Sequence, residues 1–304
     1  AVLGSYGPGG QPPIINAGDV SNRGFELELG YTTDPRKAFV YSTNFNATYL
    51  QNEVKRTPDG VDFLPGAYFG VGGNVATRFE EGYAIGYFHG FETTGIYQTQ
   101  EEIDNATVVQ EGAKPGDLIY VDQNGDGLIS FADDSDKKEL GSAIPDFTFG
   151  LNLNVKLMRF DISANIFSAI GQEIIRNYER QQPYANQLDY VINRWTGPNS
   201  SNTDPRLTTE ATRNNEFSDY YVEKGDFVRI KNIQIGYTIP QMSLERLKIQ
   251  SIRIYLSANN IFTLTNYKGY DPEIGSNGGP LSAGVDYGFY PQARSVMGGF
   301  NFKF

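Results

Sequence analysis

The sequence predicts an all-β protein whose strands belong to a large antiparallel transmembrane β-barrel with long extracellular loops. Three observations support this fold class. Apolar and polar residues alternate with a period of two, short turns alternate with very long polar connections, and no stretch approaches the roughly 18 apolar residues of a membrane-spanning helix. The composition agrees with this alternation. Only 39% of the 304 residues are hydrophobic, although 13% are aromatic. This combination indicates that apolar residues are interleaved with polar ones rather than collected in runs.

The first predicted element is a hairpin. Its first strand runs from Arg23 to Tyr31, and Asp34-Pro35-Arg36-Lys37 has the composition of a tight turn. The second strand resumes the alternation at Phe39 and continues to Tyr49. One side of this hairpin is apolar and consists of Phe25, Leu27, Leu29, Tyr31, Phe39, Tyr41, Phe45, Ala47 and Tyr49. The other side carries Glu, Asn, Ser and Thr, as expected for a sheet with one wet face.

Five further stretches repeat this alternation, at 147–155, 160–166, 233–239, 252–259 and 300–304. Counting gives seven spanning strands, and an odd number of antiparallel strands cannot close a barrel in the usual way. The chain also begins at Ala1 without an initiator Met or a recognisable signal segment. We therefore expect residues 1–304 to be the terminal part of a larger barrel, with the other strands upstream of Ala1.

A water-soluble β-sandwich would show the same alternation, with its apolar side in a core. The lengths of the connections favour the barrel instead. Residues 51–145 and 168–221 are far longer than ordinary loops, whereas the turns at 33–38 and 156–159 are short. Within the first long loop, Tyr83 to Gln98 reads partly as a strand, and we expect it to form a hairpin that pairs with Leu118 to Val121.

The strongest local motif is a predicted calcium loop. It follows the pattern D-x-N-x-D-G, in which oxygen ligands recur at fixed positions and Gly at position 6 permits a sharp turn. The predicted ligands are Asp122, Asn124, Asp126, the backbone carbonyl of Leu128, Ser130 and Asp133. Asp133 replaces the usual Glu at position 12, which predicts weak affinity, and the alternative is a polar turn without an ion. Hard oxygen ligands favour calcium, which would brace an extracellular loop.

The sequence gives little support for catalysis or for nucleic-acid binding. The chain has no Cys and one His, His89, so thiolate nucleophiles, sulfur-based zinc sites and His pairs are excluded. Adjacent acidic residues such as Glu80 and Glu81 are usually only solvated. The net charge of −11 argues against nucleic-acid binding, which needs Lys and Arg surfaces. We predict that the chain is not an enzyme.

Several blocks of the sequence occur in a characteristic order. Asn16 to Leu29 contains the pattern N-x-G-x-x-x-N-R-G-x-E. The later blocks are Thr94 to Tyr97, Lys114 to Asp117 leading into the Asp122 loop, Ile144 to Gly150, Asn193 to Thr196, Phe227 to Asn232, Asn259 to Phe262, and the closing strand from Tyr290 to Phe304. Together these blocks resemble the SusC/RagA-type TonB-dependent transporters of Bacteroidetes over nearly the whole chain.

This resemblance implies a 22-stranded outer-membrane barrel. It also implies an N-terminal plug, energisation by TonB through that plug, and a SusD-like surface lipoprotein that helps to capture oligosaccharides or oligopeptides. Two such transporter–lipoprotein pairs often associate. The chain would supply the C-terminal portion of the barrel, without the plug domain and the N-terminal strands. The aromatic end at Phe304 is similar to the signal read by the outer-membrane assembly machinery.

We therefore expect an outer-membrane importer of oligosaccharides or oligopeptides, in which no bond is broken. Polar residues of the lumen are expected to hydrate its wall or to contact solute or plug: Asn152, Asn154, Asn232, Gln234, Arg253 and Asn259. Two alternatives stay open. One is a calcium-stabilised all-β cell-surface binding or adhesion module, which would be soluble without detergent. The other is a β-rich polysaccharide hydrolase, which would need two convergent carboxylates.

Overall fold

The computed structural model describes residues 18–70, 73–178, 188–240 and 249–304. Asn16 and Ala17, which open the first sequence block, lie outside these ranges. Within them, no helix is long and apolar enough to cross a membrane. The one α-helix there, α1 (Gln100–Asp104), is short, and three 3₁₀ turns cover Asp189–Asn193, Asp219–Tyr221 and Pro280–Ser282.

The described residues otherwise form β-strands and irregular connections. The strands are β1 (Asp19–Thr32), β2 (Phe39–Arg56), β3 (Phe63–Pro65), β4 (Tyr68–Phe69), β5 (Asn74–Val75), β6 (Thr77–Glu80), β7 (Tyr87–Phe91), β8 (Thr93–Ile96), β9 (Leu118–Tyr120), β10 (Lys137–Gly141), β11 (Phe147–Leu157), β12 (Phe160–Ile170), β13 (Glu173–Arg176), β14 (Val222–Lys224), β15 (Phe227–Thr238), β16 (Ser251–Thr265), β17 (Val285–Asp286) and β18 (Ser295–Lys303). This confirms the predicted all-β class.

Seven strands form one continuous antiparallel sheet, which we call the wall. Its order, β1-β2-β11-β12-β15-β16-β18, follows the chain, so each strand pairs with the next long strand. The seven predicted strands are all present, and several are longer than the alternation of residues indicated. For example, β2 continues to Arg56, because its backbone stays paired with β1 up to Asp19.

The connections between wall strands differ at the two ends of the sheet. At the turn end, residues 33–38, 158–159 and 239–250 join neighbouring strands. At the loop end, three long connections, residues 57–146, 171–226 and 266–294, join them instead. We call these three connections the cap. The asymmetry of short turns and long loops that the sequence predicted is therefore present in the structure.

The buried hydrophobic core lies mainly in the cap. One cluster takes residues from all three connections, including Phe88, Phe217 and Val285, each at most 2% exposed. A second cluster contains Phe91, Ile96, Leu118, Tyr120 and Ile129. The predicted hairpin is confirmed in part, since β8 pairs with β9, whereas β7 pairs with β6 and β10. The cap is thus a folded unit with its own interior, seated at one end of the wall.

A buried carboxylate ties two of the cap connections together. Asp117 is 2% exposed and accepts hydrogen bonds from Arg206 Nε at 2.7 Å and from Asn214 Nδ2 at 3.0 Å. The hydroxyl of Thr212 lies 3.2 Å from the same carboxylate. Burying a carboxylate costs free energy unless its oxygens accept hydrogen bonds. The three partners supply these hydrogen bonds, so residues 206–214 are held against Asp117.

Candidate functional site

One face of the wall, the apolar face, carries large hydrophobic side chains that face outward. Phe25 is 80% exposed, Leu256 56% and Phe300 66%, and the same face includes Leu29, Ile162, Ile235, Ile254, Leu264 and Phe302 among its exposed residues. In a β-sandwich these positions would lie against a second sheet. The wall instead exposes these side chains on one contiguous face, which in a soluble protein would mark an interaction surface or a site of aggregation.

Aromatic residues mark the two ends of the apolar face. At the loop end, the strand register brings together Phe25, Tyr49 and Phe147, and the Tyr49 and Phe147 rings lie 5.0 Å apart. At the turn end, Phe160 and Tyr237 are partners with rings 4.8 Å apart. Phe39 and Phe300 occupy that same end of the face. Between the two ends, Leu, Ile, Val and Ala predominate.

The height of this band can be estimated from the register. Phe39 and Tyr49 are ten residues apart on β2, as are Phe147 and Leu157 on β11. Ten residues span about 33 Å along a strand. For strands tilted by about 40°, this corresponds to about 25 Å along the membrane normal, which matches the apolar band of outer-membrane barrels.

The opposite face, the polar face, carries amides, hydroxyls and paired charges. All six predicted lumen residues lie on it, as the register of β11, β15 and β16 shows. Asn232 donates to the Oδ1 of Asn259 at 2.7 Å, and Asn152 accepts from Asn165 at 2.5 Å. Arg253 on β16 forms an ion pair with Asp161 on β12, across the intervening strand β15, with Nε 2.9 Å from Oδ1.

A charged network at the loop end of this face was not found by sequence reasoning. Arg229 on β15 is 2% exposed and pairs with Asp271 and Glu273 of the cap. Lys231 reaches the same Glu273, with Nζ 2.6 Å from Oε1. Asp271 also accepts from the backbone N–H of Gln292 at 2.8 Å. Since these partners are about 40 residues apart in the sequence, no local motif reveals them.

A cavity of about 300 Å³ lies beside this network, where the cap meets the wall. The residues that line this cavity include Phe167, Ala169 and Phe227 of the wall and Glu173 and Ile274 of the cap. Burial raises the pKa of Glu173, although the backbone N–H of Ser142 donates to its Oε2 at 3.0 Å. The lining includes residues of all three connections, since Ala143 and Pro145 of the first connection also contribute.

The predicted calcium loop adopts a compact turn in which its side chains bind its own backbone. Asp122 accepts from the N–H groups of Gly125 at 2.7 Å and Gly127 at 2.8 Å. The N–H of Asp126 donates to Asn124, and that of Leu128 donates to Asp126. The hydrogen bond from Gly127, together with that from Gly125, lowers the pKa of Asp122, so its carboxylate is ionised and available to a cation.

The far end of this loop differs from the simple pattern. Asp133 is exposed and accepts from the N–H of Ser135 at 3.0 Å. The fully buried Asp136 accepts from the N–H groups of Gln123 at 3.1 Å and Ser130 at 2.7 Å, which closes the loop. Among the described residues, no group of three or more His, Cys, Asp and Glu side chains is arranged to hold a metal ion.

His89 lies in the cap, on β7, beside a charged cluster. Its Nδ1 is buried and has no hydrogen-bond partner within the described ranges. Burial, with the nearby charges of Arg78 and Lys137, lowers its pKa from 6.5 to about 4. Arg78 in turn is ion-paired with Asp134 and Glu80. His89 is therefore neutral near pH 7.

Comparison with known proteins adds independent information. No protein-family model matches the sequence. TonB-dependent receptor P3 of Formosa agariphila is 33% identical to this chain over 303 residues, which cover 96% of this chain and 29% of the receptor. TonB-dependent receptor SusC of Bacteroides thetaiotaomicron is 25% identical, with 95% of this chain and 27% of SusC covered.

Solved structures agree with these sequence relatives. The structure of the RagAB peptide transporter superposes with a TM-score of 0.72 at 22% identity, covering 94% of this chain and 29% of that chain. A RagAB peptide importer in the "closed-closed" state gives a TM-score of 0.70 at 22% identity. The chain spans 27–31% of the length of the curated relatives it matches.

Proposed function

This chain is a homologue of the SusC/RagA-type TonB-dependent receptors, and from that premise we propose that it forms part of the barrel of an outer-membrane nutrient importer. The predicted fold class, strands of a large antiparallel transmembrane β-barrel, is confirmed by the likeness to these receptors and to RagAB. In this proposal the chain does no chemistry. It forms part of the wall of a lumen along which a solute passes, and the cap lies at the entrance of that lumen.

The observation that carries this proposal is the exposed apolar face. An apolar band about 25 Å high with aromatic ends fits the hydrocarbon layer of an outer membrane, where apolar side chains face lipid and polar ones face a lumen. The same surface exposed to water would favour aggregation. We therefore place the apolar face against lipid and the polar face toward the lumen.

The proposed substrates are oligosaccharides or oligopeptides. The partners are a SusD-like lipoprotein at the cap, the remaining plug and barrel of the same transporter, and TonB acting through the plug; the transporter–lipoprotein pairs are proposed to dimerise. These proposals rest on homology to receptors named for TonB dependence and to a structure named as a peptide transporter. The proposed location is the outer membrane of a Bacteroidetes-like bacterium.

Fractionation tests the proposal. We expect the protein in its native host to enter the outer-membrane fraction, to resist extraction by high salt and alkaline carbonate, and to dissolve only with detergent. A soluble adhesion module would be recovered in the aqueous wash. Recovery of folded protein in buffer alone would therefore reject the importer and favour the adhesion module.

We also propose that calcium binds the loop formed by Asp122, Asn124, Asp126, Leu128, Ser130 and Asp133. The support is its pattern of hydrogen bonds, since an ionised Asp122 and successive side-chain turns resemble the backbone of calcium loops. The carboxylate of Asp133, which would complete the ligand set at position 12, accepts a hydrogen bond from the N–H of Ser135 instead.

Limited proteolysis of detergent-purified protein tests the ion. Chelation is expected to speed cleavage between residues 122 and 133, and added calcium is expected to reverse the effect. Asp122→Ala should abolish the response to calcium, whereas Asp104→Ala, in the exposed helix α1, should leave it intact. Equal cleavage with and without chelator would show that the loop is a polar turn without an ion.

A further inference from the structure

Five asparagines lie side by side at one level of the polar face, each on a different wall strand. The strand register pairs Asn44 with Asn152, Asn152 with Asn165, Asn165 with Asn232, and Asn232 with Asn259. Ser295 on β18 continues the line beside Asn259. We call these residues the asparagine row. Four strand spacings of about 4.8 Å make it about 19 Å wide.

The row lies halfway up the wall. Asn44 is five residues from both Phe39 and Tyr49, and Asn152 is five residues from both Phe147 and Leu157. These four residues define the two ends of the apolar face. The asparagine row is therefore at the middle of the band that faces lipid, and a solute that crosses the lumen along this wall must pass it.

The amides of the row keep hydrogen-bonding capacity for a ligand. Each Asn side chain offers two donors and an acceptor oxygen with two lone pairs. Within the row, Asn165 donates to Asn152 and Asn232 donates to Asn259, which in turn donates to Ser295 at 3.0 Å. Asn44 donates to Glu28 at 2.7 Å. These bonds fix the side chains but use less than the full capacity of each amide.

The row and the level next to it toward the turn end carry no ionisable side chain. The next level toward the turn end consists of Thr32, Ser42, Asn154, Ser163, Gln234, Ser257 and Met297. None of these residues or those of the row is ionisable. On the loop side, the carboxylate of Glu28 accepts from Asn44 at one end of the row. Asp161 pairs with Arg253, and Lys231 pairs with Glu273. An anionic ligand would lose its hydration here without gaining a counter-charge.

We propose that the asparagine row is a binding site for an uncharged oligosaccharide during passage through the lumen. Each sugar hydroxyl donates and accepts, as each amide does, so a neutral polyhydroxylated chain can bond several neighbouring asparagines at once. A peptide carries charged termini and side chains of both signs, and apart from Glu28 beside Asn44 these two levels provide no charged partner for them. This inference rests on the proposed function, because it requires the polar face to line a solute path.

The test uses the complete transporter, purified in detergent. Fluorescently labelled protein is applied to a glycan array that holds uncharged and acidic oligosaccharides and to an array of oligopeptides. The expected result is binding to uncharged glycans, and the dissociation constant for the best of these is then measured by calorimetry. The double variant Asn152→Leu/Asn165→Leu should weaken that binding by roughly tenfold to thirtyfold, because two ligand hydrogen bonds are lost.

Two matched variants show whether the row itself is responsible. Asn152→Gln keeps an amide at the same place and should retain binding within about threefold. Asn301→Leu removes an amide from the polar face about 20 Å nearer the turn end and should leave the affinity unchanged. Thermal unfolding of all variants reports any loss of stability separately from loss of binding.

Three outcomes would overturn the inference. The first is binding to peptides or acidic glycans alone. The second is an absence of glycan binding by the unaltered protein. The third is a double variant that is less stable yet binds as before, which would make the row a structural ladder. Membrane fractionation of the same preparations is unaffected by any of these, so a failure of the row is distinguishable from a failure of the proposed importer.

Discussion

At the scale of single residues, Arg229 connects the wall to the cap. Its guanidinium meets Thr263 of the neighbouring strand and the carboxylates of Asp271 and Glu273. Burial is the largest single influence on Asp271 and opposes its ionisation. The hydrogen bonds from Arg229 and from the backbone N–H groups of Gln292 and Glu273, with the charge of Arg229, together outweigh burial and lower the pKa of Asp271. The third long connection is thereby tied to a strand that it does not directly follow.

Removing Arg229 should release this connection. Arg229→Met leaves the buried carboxylate of Asp271 without its cation, which costs about 3–5 kcal/mol for a buried pair. We expect faster hydrogen exchange and protease cleavage at residues 266–294. Arg36→Met is the control, because the pair of Arg36 with Asp34 is exposed and screened by water and therefore contributes little to stability. Unchanged exchange around Asp271 would show that the connection is held by other contacts.

His89 makes the stability of the cap depend on pH. Its pKa is about 4 in the folded protein and about 6.5 when unfolded, so between these values the unfolded chain binds a proton that the folded chain does not. Stability due to His89 is therefore complete above pH 6.5 and is lost as the pH falls toward 4. The protonated ring would also lie beside Arg78 and Lys137, opposed by Asp134.

The comparison of His89 with His89→Gln measures this effect. Thermal unfolding followed through the cap should show that the unaltered protein loses more stability than the variant between pH 7 and pH 4.5. Carboxylates titrate in both proteins, so the difference between the two curves isolates the imidazole. Parallel curves would mean that His89 reaches solvent and is protonated without cost.

Residue-level prediction from the sequence depends on local signals, and the calcium site at Asp122 stays a prediction. The Asp122 loop was recognisable because its oxygens and Gly recur within a few positions. The buried Asp136 was missed, since its role depends on backbone N–H groups on both sides of the loop rather than on the spacing of the motif. Arg229 and Asp117 were missed because their partners are distant in the sequence and meet only after folding.

At the scale of strands, alternation decides which residue faces which medium. On β15, Gln234 and Ile235 are neighbours, yet Gln234 lies on the polar face and Ile235, 48% exposed, on the apolar face. Strand location and facing were predictable from this period of two. Strand length was not, because the pairing of β2 beyond Tyr49 depends on the backbone of β1 rather than on side-chain hydrophobicity.

A charge placed at these two neighbours should have opposite consequences. Ile235→Arg puts a guanidinium inside the lipid-facing band, between its middle and its turn end, at a cost below the roughly 2–4 kcal/mol of the midplane, and should lower the amount of folded protein in the outer membrane. Gln234→Arg puts the same group in the wet lumen and should be tolerated. Heat-modifiable migration of the folded barrel in gels measures both. Equal assembly of the two variants would argue against lipid at the apolar face.

At the scale of the whole molecule, the wall and the cap solve different packing problems. The cap buries Phe88, Ile175 and Val285 completely, as a soluble protein would. The wall leaves Phe25 and Leu264 exposed and has β1 and β18 at the edges of its sheet. The sequence predicted the wall well, but the many short strands of the cap lack a regular alternation and were visible beforehand only near Tyr83 to Val121.

Residues 1–304 produced alone should therefore not behave as a soluble monomer. With its apolar face and two sheet edges open, the chain should sediment as aggregates in buffer and become dispersed in a mild detergent. Size-exclusion chromatography with light scattering in both solvents measures this. A stable, detergent-free monomer would show that the apolar face is covered in solution, as in a sandwich.

The separate interior of the cap has a consequence for how such proteins diversify. The cap has its own hydrophobic core and joins the wall at a few strand ends. Natural selection can therefore change the entrance without changing the strands embedded in lipid. Grafting the three connections 57–146, 171–226 and 266–294 together, so that their shared core stays intact, should accordingly yield chimaeras that still insert, with altered capture at the cell surface and an unaltered passage below it.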